Sequence, residues 1–179
     1  MKRLLLMIAV MILLAGCSRS SSKDGPPQFF QTANGPVELQ FPAGWYQNKK
    51  KNPFDLQCFS QQKRMTTGVY LYSKEDLAAD LKPMKLLQQQ VYDLKSKRQN
   101  FQVLEKAKTV RHQKKTLTSI LCSGEKESSR YYYRFTLIQF TDHPKTLVMA
   151  IQVAIPSYWP KHRPILEAIT KSARIKTEE

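Results

Sequence analysis

Three cysteines and three histidines are the residues of this 179-residue chain best suited to making and breaking bonds. Their spacing argues against most such chemistry. Cys58 and Cys122 are far too distant in sequence for a Cys-x-x-Cys redox pair. His112, His143 and His162 are widely separated, and each adjoins a basic residue or a proline. No His-x-x-x-His pair exists that would put two imidazoles on one helix face for a metal. Asp142-His143 is an isolated dyad in a stretch that reads as a surface loop. The chain has only six glycines, and it lacks both a Gly-x-Ser-x-Gly elbow and a phosphate-binding glycine loop. The expectation is a chain that is not an enzyme, with no catalytic residues, no metal site and no cofactor.

Charge is the stronger signal. Between residues 95 and 115 lie eight basic side chains: Lys95, Lys97, Arg98, Lys106, Lys108, Arg111, Lys114 and Lys115. Glu105 is the one acid among them. Gathered on one surface, they would attract an anionic partner, each contributing about 1 kcal/mol near an anionic membrane. The plainer reading is a solvated strand edge, where lysines discourage strand-to-strand aggregation. The whole chain carries +15, which points to phospholipid headgroups, anionic envelope polymers or an acidic protein as neighbours.

Cys17 stands apart from the other two cysteines. It closes a short basic start, Met1-Lys2-Arg3, and an unbroken apolar run from Leu4 to Ala15. That run is shorter than the roughly 20 residues a spanning helix needs. With Leu14-Ala15-Gly16 before the cysteine, the segment resembles a bacterial lipoprotein signal peptide ending in a lipobox. The resemblance implies that residues 1–16 are removed. It also implies a thioether-linked diacylglycerol on Cys17 and an amide-linked acyl chain, such as palmitate, on the new N-terminus. Two or more chains give stable anchoring where one does not. The implied address is the cell membrane or outer membrane, with the domain in the periplasm or on the cell exterior. Ser18 in place of Asp favours the outer membrane. Export also removes nucleic acid as the partner that the charge would otherwise suggest.

In an oxidising compartment the remaining pair, Cys58 and Cys122, suggests a disulfide. Two buried free thiols are the other reading, and sequence alone does not place their Cα atoms within about 7 Å.

The rest of the chain supplies the elements that must position these groups. Residues 17–33 read as the lipidated cysteine and a flexible tether, polar and rich in Ser, Gly and Pro. Residues 34–179 read as one domain. Val37, Leu39 and Phe41 alternate with polar residues as a half-buried strand. Short strands are expected over 56–60 and 67–72, and a helix over 83–98, with Met84, Leu87, Val91 and Leu94 on its inner face. Strand-like runs follow over 101–110, 116–122, 130–140 and 147–155. The last is apolar on both faces, as a central strand should be. A closing helix over 157–173 carries Ile165, Leu166, Ile169 and Ala173 inward. The fold class is α+β: a mainly antiparallel β-sheet flanked by helices, in a single domain.

This layout is similar to the PsbP-like fold, shared by an extrinsic photosystem II subunit, Ran-binding Mog proteins and DcrB-type envelope lipoproteins. The likeness rests on Phe41-Pro42-Ala43-Gly44-Trp45, the helix from Pro83, the strand pair over 130–155 and the closing helix. It implies a non-catalytic protein-interaction or assembly-accessory module with an envelope protein as partner. The alternative is a basic domain that binds anionic lipid headgroups or anionic envelope polymers. Trp45 reads as a structural anchor for a turn.

Overall fold

A computed structural model describes residues 25–60, 64–73 and 82–176. The signal-peptide segment and Cys17 lie outside the described residues.

The chain forms β1 (Gln28–Gln31), β2 (Val37–Phe41), β3 (Trp45–Gln47), β4 (Leu56–Ser60), β5 (Met65–Ser73), α1 (Pro83–Ser96), β6 (Gln99–His112), β7 (Lys115–Lys126), β8 (Ser129–Phe140), β9 (Thr146–Ala154), α2 (Trp159–Ser172) and β10 (Arg174–Ile175). Seven strands make one antiparallel sheet in the order β3-β4-β5-β9-β8-β7-β6. β9 is its middle strand, as its two apolar faces require. A second, three-stranded sheet, β1-β2-β10, has β2 at its centre.

Alternation along each strand divides the core in two. Val69, Leu117, Leu121, Ile138 and Val148 face one side, where Val37, Leu39 and Phe41 of the small sheet and Trp159, Leu166, Ile169 and Ala173 cover them. Ile120, Tyr133, Phe135, Leu137, Leu147 and Met149 face the other side, under Leu86 and Leu87 of α1. The three consecutive tyrosines split accordingly. Tyr131 and Tyr133 lie against the α1 cluster, and Tyr132 meets the edge of Trp159 at 6.0 Å between ring centroids.

Three details depart from the sequence reading. Residues 28–31, assigned to the tether, pair with β2 from Gln28↔Phe41 to Gln31↔Glu38. The folded chain therefore begins before residue 34; Phe30, packed 5.5 Å from Phe41, gives this strand its reason to fold. In α1, Met84 is exposed and Leu86 is buried instead, because the inward stripe starts at the second turn. Pro164, which is expected to kink or restart the closing helix, lies inside an uninterrupted α2.

Candidate functional site

The basic residues between 95 and 115 are carried by the end of α1 and the residues just after it, by β6, by the β6–β7 turn and by the first residue of β7. The structure brings some together and withdraws others. Lys115 is buried, and its ammonium donates to the carbonyl of Ala173 just after α2. Burial pulls its pKa down. Lys114 pairs with Asp142 at 2.7 Å, and that hydrogen bond raises its pKa. Arg98 donates from Nε to the Tyr133 hydroxyl at 2.8 Å. Lys95 and Lys97 are exposed at the end of α1, where positive charge complements the helix dipole.

Lys106, Lys108 and Arg111 remain, all exposed and all on β6. Strand β6 is fourteen residues long and lies at the edge of the large sheet; among the described residues it pairs on one side only, with β7. Its ladder is interrupted between Gln99 and Gln102, between Val103 and Glu105, and between Glu105 and Lys108. From Lys108 to His112 the pairing is regular. Lys108 and Val110 oppose Ser119 and Leu117 and so face the α2 side. Thr109 and Arg111 oppose Thr118 and Thr116 and face the α1 side. The basic groups therefore wrap around the edge as a belt. They do not form one flat patch. Val103, Leu104 and Val110 are exposed among them. Glu105, the one acid of the run, is occupied by Arg163 of α2.

A second concave surface lies at the motif Phe41-Pro42-Ala43-Gly44-Trp45. The Trp45 amide donates to the Pro42 carbonyl at 3.3 Å, and Gly44 has φ +79°. This is a turn that needs glycine at its third position. It delivers Trp45 into the core against Phe41, 5.4 Å between ring centroids. Beside the turn is a cleft of about 570 Å³. Arg64 stands 4.7 Å over the Tyr158 ring, and Tyr158 stacks on His162 at 5.3 Å. The motif is thus a turn anchor whose outer surface lines a cleft.

The two cysteines correct the disulfide reading. Both are free, buried thiols. Cys58 belongs to the α2-side core and Cys122 to the α1-side core, so the sheet itself separates them. Burial pushes Cys58 up to about 12 and Cys122 to about 11. His112 ends β6, His143 is exposed in the β8–β9 loop, and His162 is on α2. Among the described residues, no group of three or more His, Cys, Asp or Glu is placed to hold a metal.

No protein-family model matches the chain, and no curated protein matches it by sequence. Solved structures do match it in fold. The solution structure of cyanobacterial PsbP (CyanoP) from Synechocystis sp. PCC 6803 superposes with a TM-score of 0.63 at 10% identity, covering 91% of this chain and 99% of that one. LpqN of Mycobacterium tuberculosis, involved in cell envelope biogenesis, gives 0.58 at 13% identity, covering 86% and 87%. The Ran-binding protein Mog1p of Saccharomyces cerevisiae gives 0.55 at 14% identity, covering 84% and 95%. The fold is PsbP-like, as the element order implied.

Proposed function

We propose that this chain is an envelope lipoprotein, anchored by acyl chains on Cys17. Its domain docks an extended, acidic segment of a partner protein along β6. The belt of Lys106, Lys108 and Arg111 around an otherwise unpaired strand edge carries this reading. An open edge offers main-chain hydrogen bonds to an added strand, with side-chain charge setting which strand is accepted. The same cations repel a second copy of β6 and attract an acidic one. LpqN, named for envelope biogenesis, and Mog1p, named for binding Ran, support the reading as proteins of the same fold. Anchoring supports it too, since confinement to a membrane raises the effective concentration of the domain near a co-resident partner. Among the described residues, no helix is long and apolar enough to cross a membrane.

The alternative partner, an anionic lipid or envelope polymer, fits a flat cationic face better than a belt with cations on both sides of a sheet. One experiment separates the two. A photoactivatable residue at Val110 should give a discrete protein adduct in whole cells. The adduct should be lost when Lys106, Lys108 and Arg111 all become Glu, and retained when Lys49, Lys50 and Lys51 do. Cys17→Ser should abolish incorporation of an alkyne-labelled fatty acid. An adduct indifferent to the β6 charges overturns the docking reading. Charge-dependent sedimentation with phosphatidylglycerol vesicles in place of a protein adduct establishes the lipid reading instead.

A further inference from the structure

Behind β6, on the α2 side, a small cavity of about 100 Å³ has six charged residues in its lining: Glu105, Lys108, Arg134, Arg163, Glu167 and Lys171. Four are cations and two are carboxylates. Arg163 occupies both acids. Its Nη1 and Nη2 donate to Glu105 at 2.5 and 3.0 Å, and its Nε donates to Glu167 at 3.0 Å. Arg134 shares Glu167 with Arg163, but at a distance too long for a hydrogen bond. Its Nη2 donates to the Ser119 hydroxyl at 3.2 Å and lies 3.7 Å from Glu167. Its Nη1 is buried and has no acceptor among the described residues. The Arg134 side chain is only 13% exposed. A guanidinium stays charged in proteins and presents donors in a fixed fork. Removing one of those donors from water without an acceptor is unfavourable, and burial accordingly weakens the group's hold on the proton. A stack of aliphatic residues would fill the same space without that cost.

We infer that this cavity is an oxyanion site that takes a phosphate group, with Arg134 as the donor at its floor and Lys108 and Lys171 at its rim. The residual charge of the lining is two positive, which suits a phosphate dianion better than a single carboxylate. The volume is several times what one water needs and too small for more than a headgroup-sized anion. Free phosphate and the headgroup of a phospholipid or phosphate monoester present the same oxygens. The proposed lipid tether would keep the site within reach of headgroups.

The test is calorimetric titration of the detergent-solubilised full chain with inorganic phosphate, at ionic strength held constant with chloride. Sedimentation of the Cys17→Ser chain, which lacks the acyl anchor, with phosphatidic acid vesicles, against phosphatidylcholine alone, runs in parallel. Saturable one-site binding is expected in at least one arm, weakened about tenfold or more by Arg134→Gln. Lys171→Ala, an exposed rim change that spares the core, should weaken it several-fold and guards against a folding defect in the first variant. Binding in the phosphate arm assigns a free anion; binding confined to vesicles assigns a headgroup. Lys106→Glu and Arg111→Glu lie outside the cavity and should leave binding unchanged, so the inference stands or falls apart from the docking reading. No saturable binding in either arm, or binding that ignores Arg134 and Lys171, overturns it.

Discussion

Titrating Cys58 and Cys122 with a thiol reagent at pH 8 tests the architecture at its centre. The two residues sit on β4 and β7, four strand steps apart. At about 4.8 Å per step that is about 19 Å, against the 7 Å or so that a disulfide tolerates between Cα atoms. They also point to opposite faces of the sheet. Two effects should silence them in the native chain. With pKa values raised from 9.0 to about 12 and about 11, their thiolate fractions fall by about a thousandfold and a hundredfold. The greater nucleophilicity of a more basic thiolate returns part of this, leaving about fiftyfold and tenfold slower attack. Neither side chain is exposed at all, so reaction also waits on opening of the sheet. In a Cys17→Ser chain, never reduced, the native protein should titrate near zero over minutes. The same sample in guanidinium should then release two thiols at once. No thiols in the unreduced, denatured chain would mean a Cys58–Cys122 bridge, which no sheet with three strands between β4 and β7 could accommodate.

Two further outcomes follow from local geometry. Burial lowers the Lys115 pKa below 10.5 in the folded chain. In the window between that lowered value and 10.5 the unfolded chain holds the extra proton, so stability should rise with pH there. Urea midpoints of wild type and Lys115→Met, compared from about pH 8 to 10.5, should move in favour of wild type; parallel curves would refute the burial. The β7–β8 turn places two non-glycine residues at positive φ, Glu127 at 51° and Ser128 at 63°. Glu127→Asn with Ser128→Gly should therefore stabilise the chain by about 1 kcal/mol, read as a higher urea midpoint with an unchanged m-value. A loss of stability would show that the turn differs.

What the sequence made legible was periodicity; what it hid was turn chemistry and burial of polar groups. Val37–Phe41 stands where alternation puts it, and the inward residues of the closing helix all reach the core. Thr116 to Cys122 reads as a strand that stops at Cys122, because Ser123-Gly124-Glu125-Lys126 carries no apolar signal. In the structure this stretch continues the ladder as far as Lys126↔Ser129, so the turn is only two residues long. Neither residue is the Asn or Gly that would announce such a turn. Phe101, Val103 and Glu105 read as one face, yet the bulge after Val103 sends Glu105 to the opposite side, where Arg163 meets it. Arg134 gave no warning at all. It stands among tyrosines and phenylalanine in an apolar strand, and only the packing of α2 across β8 shows that it is confined.

That β6 stays uncovered follows from the dimensions of the layers. Seven strands span about 29 Å from first to last, at about 4.8 Å per gap. A helix is about 10 Å wide and shields about two strands. On the α2 side the small sheet joins the helix, and its β2 strand seals the core with Val37, Leu39 and Phe41. On the other side, α1 lies over β8 and its neighbours, with Leu86 and Leu87 buried. Strand β6 lies beyond both layers, and its composition matches that position: every residue from Gln102 to Arg111 is exposed. Its lysines and its register shifts guard this open edge against pairing with a second copy. The strand is fourteen residues long and keeps a regular ladder from Lys108 to His112. The Arg163–Glu105 fork holds it to α2 at the point where its register shifts. A strand held in place, regular over its last five residues and carrying cations with no ion-pair partner among the described residues is what the proposed docking requires.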